Sequence, residues 1–259
     1  MIDILSKSNI KFIRQLHQKK YRNEHKLFIA EGEKIVGELL TSSFELHSLY
    51  ATKAWLEERK MAIMPFPVYQ VTEKELRELS LQDTPNNVFA LVYQPAPLNE
   101  VRFDLNKNYL LLDAIRDPGN LGTILRIVDW FGFDHLVCSP DCVEIFNPKV
   151  VQSSMGSIFR VPFIQGSLAS ILADSGGAAK PVVFGAMLDG KPLYEVNFNK
   201  GAILIIGNES NGLSKEVQKL VDQAITIPPF SQTVSKPESL NAAVATAICC
   251  SEICRQQLK

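Results

Sequence analysis

The pattern of apolar and polar positions divides the chain into two α/β segments. In the first, short apolar runs of strand type alternate with stretches in which apolar residues recur at helical spacing; the runs are LFIA, HSLYAT, PVYQV and NVFALVYQP. In the second, longer runs such as YLLLDAI, VVFGAML and AILIIGN alternate with helical patterns. Continuous apolar runs are typical of a parallel sheet that is covered on both faces. The pattern therefore predicts an α/β protein.

Helix boundaries follow from the capping residues. Thr72 with Glu75 three residues later predicts a capping box, and Ser214 predicts a second N-cap. The spacing predicts helices over residues 9–18, 122–132 and 147–160, and a long helix over residues 238–258. Asn120 and Ser239 stand at predicted helix starts, where each side chain has either a capping role or a functional one.

The composition between the two segments predicts a domain boundary. The stretch PAPLNEVRFDLNKN, residues 95–108, carries two prolines and several polar residues and shows little periodicity, which indicates a linker over residues 96–107. We therefore predict an α/β domain over residues 1–95 and a second α/β domain over residues 108–259.

The composition also narrows the class of protein. Of the 259 residues, 46% are hydrophobic, yet no apolar run approaches the ~20 residues of a membrane span. The five cysteines are an odd number and follow no secretory signal, which argues against a disulfide framework. Three of them lie in the predicted C-terminal helix without a nearby histidine, so core packing is favoured over metal binding. We expect a cytoplasmic protein with no metal.

Charge is concentrated near the N-terminus. The net charge is −1, but residues 1–26 hold seven lysines and arginines against two acidic residues. Such a local excess suits contact with a nucleic-acid backbone, and a solvated helix face is the alternative. The candidate nucleic-acid contacts are Lys11, Arg14, Lys19, Lys20 and Arg22.

Three short segments carry the candidate chemistry. The turn RDPGNLGTILR, residues 116–126, joins a strand to a helix, but its G-N-L-G spacing differs from the G-x-G-x-x-G of dinucleotide-binding loops. No P-loop sequence occurs in the chain. The second segment, ILIIGNESNGLSKEV, places Glu209 after a buried strand, where open α/β sheets bind ligands. The third, SLNAAVATAI, has Ser239 and Asn241 ahead of an apolar helix.

Together and in this order, these segments resemble the SpoU (TrmH-like) family of SPOUT methyltransferases. The resemblance rests on DPGNLGTILRIVDWFGF, LIIGNESNGLS and IP…SLNAAVATAI, with SSMGSIFRVPF between them. The N-terminal SNIKFIRQLHQKKYRNEHKLFIAEGEKIV resembles the small ribosomal-protein-like RNA-binding domain often found upstream. The implied fold is a parallel-sheet α/β domain with a C-terminal trefoil knot, preceded by that small α/β domain.

The resemblance also implies a reaction. It implies S-adenosylmethionine as cofactor, held by backbone near Gly185, Gly207, Ile227 and Leu240. The implied reaction transfers the methyl group of this cofactor to a ribose 2′-hydroxyl of RNA. The resemblance assigns the catalytic role to Arg126, supported by Asn120, Glu209, Ser239 and Asn241. It further implies a homodimer. Ribosomal RNA is the expected substrate, and transfer RNA is the alternative.

Two departures from the family pattern keep a different function open. Pro229 stands where a methionine is usual, and the loop 229–238 is longer than usual and has no glycine. Ser210 stands where a glycine is common. Because the loop borders the implied cofactor site, a non-catalytic RNA-binding protein that keeps the fold is the competing prediction.

Overall fold

The computed structural model describes residues 2–3, 5–59, 64–80, 82, 86–98, 100–173, 180–231 and 238–258. The strands are β1 Ile2–Asp3, β2 Leu27–Glu31, β3 Leu46–Ala51, β4 Val68–Gln70, β5 Val88–Tyr93, β6 Tyr109–Leu112, β7 His135–Cys138, β8 Phe163–Gln165, β9 Val182–Pro192, β10 Ala202–Ile206 and β11 Gln223–Thr226. The helices are α1 Lys7–Gln15, α2 Lys19–His25, α3 Glu33–Leu40, α4 Lys53–Glu58, α5 Glu73–Leu79, α6 Pro118–Phe131, α7 Pro148–Ser154, α8 Leu168–Ala173, α9 Lys215–Gln218 and α10 Ala242–Gln257.

The chain forms two compact units. The first unit comprises Met1–Ala96 and Glu144–Arg160, and the second comprises Pro97–Val143 and Val161–Lys259. The segment that carries α7 therefore packs with the N-terminal residues, although it follows the predicted linker in sequence.

The first unit contains a mixed sheet. Its described strands have the order β1-β4-β3-β5-β2, in which β5 is antiparallel to both β2 and β3. Leu16, Leu27 and Phe89 are among the residues of the core beside this sheet. The predicted capping box is confirmed, because Thr72 accepts from the Glu75 N–H and the Glu75 side chain accepts from the Thr72 N–H.

Two helices of the first unit differ from the prediction. The predicted helix 9–18 is α1, which begins at Lys7 and ends at Gln15, and α2 then follows. The predicted helix 147–160 ends at Ser154, because Met155 and Gly156 adopt φ angles of 50° and 97°. A Cβ at Gly156 would lie 2.6 Å from the Glu38 Cγ, so this turn requires glycine.

The second unit contains a parallel sheet. Its described strands have the order β11-β9-β10-β6-β7-β8, and every pair is parallel. All residues of β6 and β10 are buried, as their continuous apolar runs predict. The parallel-sheet prediction is confirmed.

The N-caps of α6 and α10 are not the residues that the sequence offered as candidates. The side chain of Asp117, not Asn120, caps α6 and accepts from the Asn120 N–H at 2.8 Å. The helix begins at Pro118 rather than residue 122, as proline is favoured in a first turn. Asn241, not Ser239, caps α10 by accepting from the Ala243 and Val244 N–H groups. The Asn120 and Ser239 side chains therefore have no capping role.

The cysteines pack as the sequence predicts. Cys249 and Cys250 are buried in α10, and burial raises the pKa of Cys249 to about 12. Within the described ranges, no cluster of His, Cys, Asp or Glu residues suits a metal ion. No described helix is long and apolar enough to cross a bilayer.

Candidate active site

The polar residues of the three segments meet at one edge of the parallel sheet. Strands β6 and β10 are neighbours, and Leu112 pairs with Ile206 at their carboxyl ends. The segments that follow these strands lead to Asn120 and Glu209. This edge is where open α/β sheets place their ligands.

Four predicted site residues form a hydrogen-bonded chain. The Asn241 Nδ2 donates to the Asn120 Oδ1 at 2.9 Å. The Asn120 Nδ2 in turn donates to the Glu209 Oε1. The Ser239 Oγ donates to the Glu209 carbonyl oxygen at 3.3 Å. Because each amide donates toward the next residue, the carboxylate of Glu209 is the final acceptor, and Asn120 is held in one orientation.

Arg126 lies outside this chain of hydrogen bonds. It is exposed on α6, six residues after Asn120, which corresponds to a rise of about 9 Å along the helix. Its guanidinium makes no hydrogen bond or ion pair with any residue that the structure describes. The group is therefore available to an external anion.

A second set of hydrogen bonds, which the sequence analysis missed, holds the turn after β10. The buried Asp113 accepts from the Ser214 N–H at 2.7 Å. The Asn208 Nδ2 donates to the Ala114 carbonyl oxygen at 3.1 Å, and its Oδ1 accepts from the Ser210 and Asn211 N–H groups. The signal available in the sequence was the carboxylate directly after the apolar YLLL run.

A cavity of about 470 Å³ lies beside the Asn120–Glu209 pair, in the second unit. Three of the four predicted cofactor residues, Gly207, Ile227 and Leu240, line it. Gly185 is not among the lining residues; a Cβ there would lie 2.6 Å from the Val221 Cγ2. At Gly207, a Cβ would lie 2.4 Å from the Gly212 carbonyl carbon, so only glycine permits this close backbone approach.

The cavity is acidic. Among its described lining residues, Asp189 and Glu209 are charged, and no lysine, arginine or histidine is present. Other lining residues, such as Ile206, Leu213 and Ile225, are apolar. This wall repels phosphate groups and suits a ligand that combines apolar surface with positive charge. Of the loop 229–238, residues 232–237 lie outside the described residues.

The predicted RNA-contacting cations occupy two environments. Lys11, Lys19 and Lys20 are exposed, and Arg14 is exposed while its Nε donates to the Glu78 carbonyl oxygen at 2.7 Å. A shallow cavity of about 320 Å³ on the first unit is lined by Lys7, Ile10, Lys11, Arg14, Gln15 and Gln18. Arg22 instead is 2% exposed and pairs with Glu144, so it is not part of the exposed basic surface.

The parallel α/β fold, together with its similarity to a solved TrmH-family structure, identifies the class as SPOUT-fold methyltransferases. Residues 107–251 match the SpoU rRNA Methylase family, and residues 7–90 match the MRM3-like substrate binding domain. The first match covers more than half of the chain, so the protein belongs to the SpoU rRNA methylase family. The resemblance drawn from the sequence is confirmed.

The similarity to known proteins extends along the chain. The 23S rRNA (guanosine(2553)-2′-O)-methyltransferase RlmP of Bacillus subtilis is 29% identical over 249 residues, which cover 95% of this chain and 96% of RlmP. A TrmH-family structure from Porphyromonas gingivalis is 38% identical, with a TM-score of 0.86 and coverage of 98% and 99%. The AdoMet-bound rRNA methyltransferase from Sinorhizobium meliloti is 29% identical, with a TM-score of 0.86 and coverage of 99% and 98%.

Proposed function

We propose that this protein transfers a methyl group from S-adenosylmethionine to a ribose 2′-hydroxyl of ribosomal RNA. The observation that carries the proposal is the Asn241–Asn120–Glu209 chain of hydrogen bonds beside the acidic cavity. Relatives that match nearly the whole chain support the substrate class, because RlmP is a 23S rRNA 2′-O-methyltransferase and the Sinorhizobium meliloti protein is an AdoMet-bound rRNA methyltransferase.

The cavity fits S-adenosylmethionine. Its volume of about 470 Å³ is in the range of small-molecule sites, and its apolar walls suit an adenine ring. Asp189 and Glu209 complement positive charge, and the close approach at Gly207 leaves backbone groups beside the cavity. When bound there, S-adenosylmethionine supplies an electrophilic methyl group on a positively charged sulfur. We propose that Gly207, Ile227 and Leu240 hold it, with Gly185 supporting the wall from behind.

We assign substrate positioning and charge stabilisation to Arg126. A guanidinium has a pKa above ~12 and is a poor proton acceptor. It is, however, suited to a bidentate bond with an RNA phosphate and to stabilising negative charge that develops on the ribose oxygen. The exposed position of Arg126, without a partner among the described residues, suits such an external contact.

We assign to Glu209 the acceptance of the proton that the ribose 2′-hydroxyl loses during methyl transfer. Its Oε1 accepts from Asn120, whereas its Oε2 makes no hydrogen bond with a described side chain or backbone group. Oε2 is therefore open to the proton of the ribose hydroxyl, and Asn120 fixes the orientation of the carboxylate. Asn241 and Ser239 act indirectly through hydrogen bonds. Asn241 orients the Asn120 side chain, and Ser239 orients the backbone of Glu209.

RNA selection is assigned to residues 1–95, and catalysis to residues 108–259. The match of residues 7–90 to a substrate binding domain and the exposed cations of α1 and α2 support this division. The cations bind phosphates independently of sequence, so the shape of the RNA must supply the selectivity. We further propose that the C-terminal segment of the parallel-sheet domain forms the trefoil knot of the family.

We also propose that the protein is a homodimer that uses one face of α6. Trp130 is 84% exposed and lies four residues after Arg126, so both side chains are on the same helical face. An exposed tryptophan of this kind is typical of an interface core. A partner that covers Trp130 would also enclose Arg126.

Trp130→Glu is expected to convert a dimer into a monomer, because a carboxylate cannot be buried unpaired in an apolar contact. Sedimentation velocity of the full chain measures this change. Tyr194→Glu, at another exposed aromatic residue of the second unit, is the matched control and should remain dimeric. A monomeric wild type, or a Trp130→Glu variant that stays dimeric, contradicts the proposed interface.

Methyl transfer itself tests the proposed function. Labelled S-adenosylmethionine is incubated with unmodified ribosomal RNA or unmodified transfer RNA, and digested RNA is analysed by mass spectrometry. We expect one 2′-O-methyl nucleotide in ribosomal RNA. The Asn120→Ala variant should transfer the methyl group at a rate lowered by about 10²-fold, because Glu209 loses the side chain that orients it.

Each other outcome contradicts a different part of the proposal. Label in transfer RNA alone would show that transfer RNA, and not ribosomal RNA, is the substrate. A methylated base would show that the enzyme does not methylate the ribose. No transfer together with no binding of S-adenosylmethionine by calorimetry would favour the non-catalytic RNA-binding protein.

A further inference from the structure

One wall of the cavity is a bulge in β9. Gly185 pairs with Ala224 on β11, and the next partner pair is Lys191 with Ile225. Residues 186–190 therefore lie between two consecutive positions of the neighbouring strand. Bulges of this kind redirect side chains next to functional sites.

The end of the bulge is held against β11. A Cβ at Gly190 would lie 2.5 Å from both the N and the C atoms of Ile225. Since backbone atoms cannot move aside as a flexible side chain can, only glycine allows the two strands to approach here. The bulge is thus fixed by contact and presents its side chains in a defined place.

The bulge presents an apolar side chain next to a carboxylate. Leu188 and Asp189 both line the cavity, and Leu188 is 76% exposed. Leu240, which also lines the cavity, is 45% exposed. Exposed leucines at the mouth of a cavity are suited to cover the flat face of an aromatic base.

Asp189 has an unused hydrogen-bonding capacity. Glu209, the other carboxylate among the described lining residues, is already bonded to Asn120. Asp189 makes no hydrogen bond or ion pair with any residue in the described part of the chain. An ionised carboxylate offers two acceptor oxygens, which match a pair of adjacent hydroxyl donors.

We infer that Asp189 is the residue that recognises the ribose of S-adenosylmethionine, accepting hydrogen bonds from its 2′- and 3′-hydroxyls while Leu188 and Leu240 contact the adenine. The inference rests on the proposed function. Adenosine has an apolar ring system beside two adjacent hydroxyls, and the bulge has a leucine beside an unpaired carboxylate. Acidic side chains bind ribose hydroxyls in the same manner in dinucleotide sites.

Calorimetry on the full chain tests this assignment without requiring catalysis. The probes are S-adenosylhomocysteine, its 2′-deoxyadenosyl analogue and 5′-methylthioadenosine, which lacks the amino-acid part. The wild type is expected to bind the 2′-deoxy analogue about tenfold more weakly than S-adenosylhomocysteine, because one hydrogen bond to a charged acceptor is lost. Asp189→Ala loses both hydrogen bonds, so it should bind S-adenosylhomocysteine at least about tenfold more weakly and should no longer distinguish the two ribose forms.

The controls separate the alternatives. Asp141→Ala removes an exposed carboxylate of the same unit that does not line the cavity, and it should keep the discrimination of the wild type. If Asp189→Ala weakens S-adenosylhomocysteine but not 5′-methylthioadenosine, the carboxylate contacts the amino-acid ammonium and the inference is wrong. It is also wrong if the wild type binds both ribose forms equally. Failure of the wild type to bind any of the three probes would instead contradict the proposed function.

Discussion

Replacing Arg126 by alanine is expected to lower kcat for methyl transfer about 10²- to 10³-fold, the usual effect of removing one group that stabilises transition-state charge. Binding of S-adenosylmethionine should change by less than about twofold, because the Arg126 side chain is not among the residues that line the cavity. Single-turnover rates at saturating RNA, together with calorimetry of the cofactor, separate these two effects.

Two further variants define the role of Arg126. Arg126→Lys keeps the charge but loses the planar fork, so it should recover only part of the activity if the phosphate contact is bidentate. Arg102→Ala, at an exposed arginine of the same unit, is the matched control and should retain wild-type activity. Full activity of Arg126→Lys would contradict a bidentate contact between Arg126 and an RNA phosphate. Full activity of Arg126→Ala would show that Arg126 has no role in the reaction.

Replacing Arg22 by methionine is expected to lower the free energy of unfolding of the first unit by about 3–5 kcal/mol. The Arg22 Nε donates to the Glu144 Oε1 at 3.1 Å, its Nη2 donates to the Oε2, and its Nη1 donates to the Leu16 carbonyl oxygen at 2.8 Å. The Arg22 and Glu144 side chains are only 2% and 10% exposed. Methionine would leave a buried carboxylate and a buried carbonyl oxygen without their donor.

The measurement is the midpoint of the first unfolding transition in guanidinium chloride, followed on the full chain by circular dichroism. The double variant Arg22→Met/Glu144→Leu should recover much of the loss, since it removes the unpaired charge as well. Lys53→Ala breaks an exposed ion pair with Glu57 in the first unit and should change the unfolding free energy by less than about 1 kcal/mol. A loss below about 1 kcal/mol for Arg22→Met would show that the buried pair is not important for stability.

Local signals in the sequence were sufficient for several elements. The apolar runs of β6 and β10 predicted buried parallel strands, because a strand covered on both faces cannot alternate with polar residues. Thr72 and Glu75 predicted a helix start, since a capping box is complete within four consecutive residues. The helix 147–160 was wrong because the φ angles of Met155 and Gly156 end it early, which helical periodicity alone does not reveal.

The family resemblance supplied Asn120, Glu209, Ser239 and Asn241 as candidates, but not their contacts. Asn120 lies 89 residues from Glu209 and 121 residues from Asn241, so no local pattern can show that their side chains meet. The sequence alone also left Asn120 as a possible helix cap. Only the structure shows that Asp117 has that role.

The sequence by itself therefore determined the alternation of strands and helices, the parallel sheet and the order of the three segments, because each depends on neighbouring residues. Tertiary structure alone decided the hydrogen-bonded chain at Glu209, the burial of Arg22 against Glu144 and the bulge that carries Asp189. Each of these depends on which distant parts of the chain pack together. Packing sets which charges remain exposed and which side chains can hydrogen-bond.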